Sequence, residues 1–128
     1  MNEFKIAARL KSFQYAFAGI FHLFKTQHNF WIHIGLTTLT IVLGFILKIN
    51  FTDWCLIIFA IGFVLAAEAF NTALEVLTDL VSPQYNEKAK IIKDVSAAGV
   101  LLSALTSFAI GLIVFLPKAW NWMETIVK

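Results

Sequence analysis

A stripe of polar side chains follows the apolar segment 54–67, and its members are Glu68, Asn71, Glu75 and Asp79. The spacings of three, four and four residues put all four on one face if this part of the chain is helical. Ionisable side chains at the mouth of a membrane span are costly, and they indicate a functional site. The alternative is a cytosolic helix end that has simply become polar, although such an end favours basic residues.

The polar stripe and a later lysine supply the groups that phosphoryl transfer needs, which are a metal site, a cation and a base. Glu75 and Asp79 are candidates for holding Mg²⁺, which prefers carboxylate oxygens. Lys93 is a candidate for offsetting phosphate charge. Lys93 and Asp94 could instead form an ordinary interfacial ion pair, and the sequence leaves both readings of that pair open.

The base is expected to be Glu68, which lies deepest in the apolar zone, where desolvation suits a proton acceptor. Asn71 can hold a neighbouring carboxylate by hydrogen bonds. Other chemistries fit poorly, because the chain has no glycine-rich phosphate loop and no Cys/His cluster with zinc spacing. His33 lies in an apolar stretch, and we interpret it as a packed polar residue rather than a ligand.

The composition indicates a membrane protein, because 59% of the 128 residues are hydrophobic and only 14% are charged. Long uncharged stretches run over 26–47 and 95–117, each long enough to cross a hydrocarbon core of about 30 Å as a helix. The uncharged stretch 54–67 is shorter, so a spanning helix must continue into the polar stripe. The stripe would then straddle the interface between lipid and water.

We predict a single domain over 1–128 that is all-α, with an N-terminal amphipathic surface helix and three transmembrane helices. The surface helix is expected at about 4–25, and the spans at about 29–48, 52–81 and 90–116. Pro83 is expected to break the chain after the second span, and Pro117 to end the third. Three spans make a thin bundle with little interior, so a homo-oligomer is expected.

The basic residues favour one orientation, with the N-terminus and the polar stripe in the cytoplasm. Seven basic residues would then face the cytoplasm, namely Lys5, Arg9, Lys11, Lys25, Lys88, Lys90 and Lys93. Three would face outward, namely Lys48, Lys118 and Lys128. We expect no cleavable signal peptide, no intrachain disulfide from the single cysteine, and no nucleic-acid partner.

The segment 68–75, Glu-Ala-Phe-Asn-Thr-Ala-Leu-Glu, together with Asp79 is similar to the signature of the prokaryotic diacylglycerol kinase family. The segment 93–98, Lys-Asp-Val-Ser-Ala-Ala, is similar to its second motif at the expected distance. The N-terminal Arg9, Tyr15 and Gly19 look like the family's surface-helix pattern. The resemblance implies a homotrimeric lipid kinase of the bacterial cytoplasmic (inner) membrane that uses ATP and Mg²⁺.

By the same resemblance, Glu68 would be the proton acceptor and Glu75 would bind the metal and the nucleotide. The other nucleotide-binding positions would be Arg9, Tyr15, Gln27, Asn71, Asp79, Gln84, Tyr85, Asn86, Lys93 and Asp94. Gln27 departs from the family, which usually has a second metal-binding Glu there. An amide oxygen can still coordinate Mg²⁺, but without charge, so weaker metal binding or a shifted metal is expected.

The expected reaction is phosphorylation of diacylglycerol to phosphatidic acid. The alternative is phosphorylation of undecaprenol to undecaprenyl phosphate, since both lipids present a hydroxyl at the interface and an apolar body in the bilayer. A third reading is a small oligomeric transporter that uses Glu68 as a proton or cation site. That reading explains a buried carboxyl group, but it does not explain Lys93 and Asp94 or the placement of the stripe at the interface.

Overall fold

The structure is a computed structural model that describes residues 6–127, and the predictions that concern residues 1–5 and 128 lie outside the described residues. Four helices make up nearly all of this range, namely α1 (Ile6–Thr26), α2 (His28–Ile46), α3 (Phe51–Val81) and α4 (Glu87–Val127). Within 6–127 there is no strand. The helices α2, α3 and α4 are each long and apolar enough to cross a membrane. The prediction of an all-α membrane protein with three spanning helices is therefore confirmed.

The helix α1 is amphipathic and lies against the start of α2. Its exposed face carries a row of phenylalanines, Phe13, Phe17 and Phe21, which suits a helix at the acyl boundary of a bilayer. A hydrogen bond from Trp31 Nε1 to the Phe24 carbonyl oxygen (2.8 Å) ties the two helices together across the junction. The helices α1 and α2 are thus joined through a small aromatic contact.

The turn between α2 and α3 fixes where the second span begins. Lys48 has a φ of 48°, a left-handed conformation that reverses the chain direction. Gly44 allows the Trp54 ring to lie on α2, because a Cβ atom there would approach Trp54 Cη2 to 2.7 Å. Asn50 and Asp53 form a capping box in which each side chain accepts a hydrogen bond from the other residue's backbone N–H.

The helices α3 and α4 pack against each other as the main body of the bundle. A buried apolar cluster at the end where α3 begins contains Ile49, Ile57 and Val114. A hydrogen bond from Ser107 Oγ to the Ala60 carbonyl oxygen (3.0 Å) links the two helices further along. Small polar side chains such as serine let helix backbones approach closely in a membrane.

Pro117 does not end the third span's helix, and that prediction is wrong: α4 continues through Pro117 to Val127. A proline removes one N–H from the helix ladder, and neighbouring contacts can compensate for it in a membrane helix. The next residue, Lys118, forms an ion pair with Asp53 on α3. This contact holds the helix on the bundle just past the proline.

The connection over 82–86 reverses the chain, so that the end of α3 lies beside the beginning of α4. Asn86 Oδ1 accepts hydrogen bonds from the backbone N–H groups of Lys88 (2.9 Å) and Ala89 (3.3 Å), and it thereby caps α4. The bundle therefore has two distinct ends. We call them the Asp79 end, where α3 ends and α4 begins, and the Asp53 end, where α3 begins.

Candidate functional site

The polar stripe of α3 runs from the buried interior of the bundle to its open Asp79 end. Only 2% of Glu68 and 7% of Asn71 are exposed, whereas the Asp79 side chain is 65% exposed. The four residues share a face because their spacing follows the helical repeat. The stripe thus offers a shielded carboxyl group at one end and a solvent-accessible one at the other.

Asn71 organises the middle of the stripe. Its Nδ2 atom donates a hydrogen bond to Glu75 Oε1 (3.2 Å), one turn further along α3. Its Oδ1 atom accepts a hydrogen bond from Ser96 Oγ on α4 (2.7 Å). Because both ends of the amide are engaged, Asn71 fixes the orientation of the Glu75 carboxylate and couples it to α4.

Lys93 on α4 reaches across to α3 and forms an ion pair with Asp79. The Lys93 side chain is 39% exposed, so an anionic ligand in water can approach it. Asp94 instead pairs with Lys90 one turn earlier, with Nζ and Oδ2 2.8 Å apart. Lys93 and Asp94 therefore do not pair with each other, and each has a partner of its own.

His33 approaches the buried end of the stripe from α2. Its Nε2 atom lies 4.0 Å from Glu68 Oε2, and its side chain is 16% exposed. His33 also lines a groove of about 410 Å³ between α2, α3 and α4. Most of the walls are apolar and include Leu36, Leu43, Val64, Phe108 and Leu112. An apolar molecule in this groove would have one end close to the Glu68 carboxyl group.

The oxygen donors of the stripe suit a magnesium ion that is bound to a nucleotide. Mg²⁺ at phosphate sites is held by one or two carboxylates, with phosphate and water oxygens completing the shell. Glu75 and Asp79 supply two carboxylates on one face of α3. Among the described residues no group of three His, Cys, Asp or Glu side chains forms a metal cage of its own. The donor set therefore fits a metal that arrives with phosphate ligands.

Gln27 lies at the junction of α1 and α2, where the backbone is extended, with φ −106° and ψ 109°. Its Nε2 atom lies 3.4 Å from Thr26 Oγ1. Its predicted metal role stays a prediction, since the contacts of its side chain are local.

The remaining predicted nucleotide-binding residues lie on α1 and in or next to the connection between α3 and α4. Arg9 and Tyr15 lie on α1, and Tyr15 is 70% exposed. Gln84 and Tyr85 lie in the 82–86 connection, and Tyr85 is 85% exposed. Asn86 is occupied in capping α4. Roles in nucleotide binding for these residues stay predictions.

The sequence pattern does not mark Thr72 or Ser96 as site residues, and it indicates a packed polar role for His33, which the structure places beside Glu68. Ser96 lies inside the second motif, three residues after Lys93, and this position on the same face of α4 could have indicated its contact. Thr72 lies inside the first motif beside Asn71, and it is 3% exposed. His33 is a polar residue in an apolar span, which is itself a signal of function.

Comparison with known proteins identifies relatives over most of the chain. A profile of the family described as "Prokaryotic diacylglycerol kinase" matches residues 14–115. A protein named undecaprenol kinase from Bacillus subtilis is 35% identical over 108 residues, which cover 84% of this chain and 88% of that protein. A protein named diacylglycerol kinase from Synechocystis sp. is 36% identical over 124 residues, which cover 95% of this chain and 71% of that protein.

Proposed function

The chain belongs to the prokaryotic diacylglycerol kinase family, and we propose that it transfers the γ-phosphate of ATP to the hydroxyl group of diacylglycerol. It is a lipid kinase, and this replaces the transporter reading of the buried Glu68. The proposal concerns the acceptor lipid and the residues that carry the reaction.

One observation carries the proposal: the polar stripe of α3 joins a shielded carboxyl group to an open carboxylate, which pairs with a lysine from α4. Glu68 is 2% exposed and lies beside the apolar groove through His33. Asp79, paired with Lys93, is 65% exposed. Asp79 follows Glu68 by eleven positions on α3, which is a rise of about 16 Å along the helix axis. A lipid and a nucleotide can therefore approach from opposite ends and meet between them.

Glu68 accepts the proton of the lipid hydroxyl in the proposed reaction. The hydroxyl oxygen then forms a bond to the γ-phosphorus, the bond between that phosphorus and the β–γ bridging oxygen breaks, and ADP leaves with the electron pair. The burial of Glu68 keeps competing water from the base. His33 lies beside Glu68, with Nε2 and Oε2 4.0 Å apart.

Glu75, Asp79 and Gln27 are the proposed metal ligands of this chain. Mg²⁺ bound there with the β- and γ-phosphates would neutralise charge on the transferred group. Asn71 holds the Glu75 carboxylate in place by the hydrogen bond that it donates.

Lys93 is the proposed phosphate contact, because it is the basic side chain that reaches the stripe from α4. Further contacts to the nucleotide are assigned to Arg9 and Tyr15 on α1, to Gln84, Tyr85 and Asn86 in the connection, and to Asp94. Their support is the family resemblance of the motifs around them.

We place the protein as a homotrimer in the bacterial cytoplasmic (inner) membrane, with its N-terminus and its Asp79 end in the cytoplasm, where ATP is available. The support for this orientation is the excess of basic residues at the Asp79 end. The support for a trimer is the family, together with the large exposed apolar surfaces of the spanning helices.

Undecaprenol is the second candidate acceptor, and the relative from Bacillus subtilis favours it. Both candidate lipids place one hydroxyl group near the interface with apolar chains behind it. The groove beside Glu68 is compatible with an apolar chain of either kind.

The test is ATP-dependent phosphorylation by the purified protein in mixed micelles that contain diacylglycerol, undecaprenol or no added lipid. We expect transfer of labelled γ-phosphate to diacylglycerol with a higher kcat/KM than to undecaprenol. A higher kcat/KM for undecaprenol would reassign the acceptor. Label that appears in neither lipid would overturn the proposal.

A further inference from the structure

Thr72 carries a buried hydroxyl group that the reaction described above does not use. Among the described side chains, its Oγ1 is the one fully buried nitrogen or oxygen atom without a hydrogen-bond partner. A buried polar atom without a partner lowers stability, so native proteins rarely keep one without a reason.

Other threonines in this protein satisfy their hydroxyl groups within their own helix. Each donates to the carbonyl oxygen four residues earlier, at 2.6 to 2.9 Å, and they are Thr26, Thr38, Thr78 and Thr106. Thr72 does not make this bond although it lies in the same kind of helix. Its hydroxyl group therefore stays free for another partner.

The position of Thr72 places that hydroxyl group between the base and the proposed metal site. Thr72 follows Glu68 by four residues and precedes Glu75 by three, on the same face of α3. Its Cα atom lies about 6 Å along the helix axis from that of Glu68. Because side chains in a helix tilt toward its N-terminus, the Thr72 hydroxyl group is displaced toward Glu68.

We propose that Thr72 Oγ1 binds the acceptor hydroxyl group of the lipid and holds it for deprotonation by Glu68. The inference rests on the proposed function and adds a positioning contact to it. An acceptor that gives its proton to Glu68 keeps lone pairs on its oxygen, and the Thr72 hydroxyl group can donate to one of them. Glu68 and Thr72 are 2% and 3% exposed and lie one turn apart on α3, so a lipid hydroxyl group that reaches the base also lies near Thr72.

The test compares Thr72→Val, which removes the hydroxyl group at nearly constant volume, with Thr72→Ser, which keeps it. Thr72→Val should lower kcat/KM for the lipid about tenfold and leave the KM for ATP unchanged. Its thermal midpoint should equal or exceed that of the wild type, since no intramolecular hydrogen bond is lost. Thr72→Ser should keep most of the activity.

Thr78→Val is the matched control on the same helix. Thr78 is also buried, but its hydroxyl group donates to the Leu74 carbonyl oxygen (2.6 Å). This variant should lose no activity, and its midpoint should not rise. A deoxy analogue of the acceptor, which lacks the hydroxyl oxygen, should inhibit the wild type and Thr72→Val with the same inhibition constant.

Three results would overturn the inference while leaving the proposed function intact. The first is an active wild type whose kcat/KM is unchanged in Thr72→Val. The second is an equal loss of activity in Thr72→Ser, which would indicate a packing role. The third is weaker binding of the deoxy analogue to Thr72→Val. An inactive wild type would count against the proposed function itself.

Discussion

The two ends of the bundle each contain a lysine–aspartate ion pair between α3 and α4, but the two pairs lie in different surroundings. At the Asp53 end, the side chains of Lys118 and Asp53 are 26% and 15% exposed. At the Asp79 end, the side chains of Lys93 and Asp79 are 39% and 65% exposed. The same chemical pair is therefore shielded at one end and open at the other.

The neighbours of each pair explain the difference. Asp53 also belongs to the capping box that begins α3, and the buried apolar cluster lies close by in the chain, so its carboxylate is committed to the fold. Asp79 instead continues the polar stripe, beyond the bond between Asn71 and Glu75. The shielded Lys118–Asp53 ion pair stabilises the fold. The exposed Lys93–Asp79 pair contributes little stability, and either side chain can exchange its partner for a ligand.

Among variants of the polar stripe that leads to the Asp79 end, Glu68→Gln should have the largest effect. We expect turnover to fall by at least about 100-fold, because the proton acceptor is lost. Nucleotide binding should stay nearly intact, since the charges at the Asp79 end remain. The checks are single-turnover phosphorylation and nucleotide titration on one preparation. A variant that keeps more than a tenth of wild-type turnover would remove Glu68 from the role of base.

Glu75→Gln should raise the Mg²⁺ concentration for half-maximal activity severalfold, because a charged oxygen ligand becomes neutral. The expected effect is smaller than that of Glu68→Gln, since the phosphates of the nucleotide still hold the metal. A Mg²⁺ titration of kinase activity at saturating ATP measures it. If the titration curve coincides with that of the wild type, Glu75 is not a metal ligand.

Gln27→Glu should shift the Mg²⁺ titration in the opposite direction by a smaller amount. The change restores an anionic ligand at the position where the family usually has one, and the metal offsets the repulsion from Glu75. Gln14→Glu, on the exposed part of α1, adds the same charge and serves as the control. A shift common to both variants would indicate a general charge effect, and no shift for Gln27→Glu would exclude it from the metal site.

Asn50→Ala should have the smallest effect, and it concerns the Asp53 end alone. Loss of a capping side chain costs about 1 kcal/mol of unfolding free energy, and Asn50 accepts the Asp53 N–H bond at 2.9 Å. The thermal midpoint should fall by a few degrees, while kcat and KM at low temperature stay unchanged. A change in KM for ATP would mean that the two ends are coupled, and it would contradict the separation of a stabilising Asp53 end from a functional Asp79 end.

The helical layout was open to prediction from the sequence because apolar length and spacing determine it. The second span had to continue through the polar stripe, since its uncharged part was too short to cross a membrane, and α3 does continue to Val81. Pro117 predicts a helix end because local propensity alone marks one there, whereas α4 continues through it. The ion pair of Lys118 with Asp53 lies across the bundle, and a local pattern does not contain it.

The residues of the candidate site came from the sequence and their roles stay predictions, whereas their contacts could not be predicted from it. Asn71 and Ser96 are 25 residues apart, and only the antiparallel packing of α3 and α4 brings their side chains to 2.7 Å. His33 faces Glu68 for the same kind of reason, because the α2–α3 turn sets the two helices side by side. The free hydroxyl group of Thr72 depends on a rotamer, which residue type and spacing do not specify.

The most direct test of the account compares Lys93→Met with Lys118→Met, with turnover and thermal midpoint measured on each. For Lys93→Met we predict a loss of kcat/KM of about 100-fold or more, with a midpoint within about two degrees of the wild type, since exposed ion pairs stabilise little. For Lys118→Met we predict near-normal kcat/KM at low temperature and a midpoint several degrees lower, because Asp53 is left half-buried without its cation. Equal effects of the two variants on turnover, or a larger loss for Lys118→Met, would contradict the account.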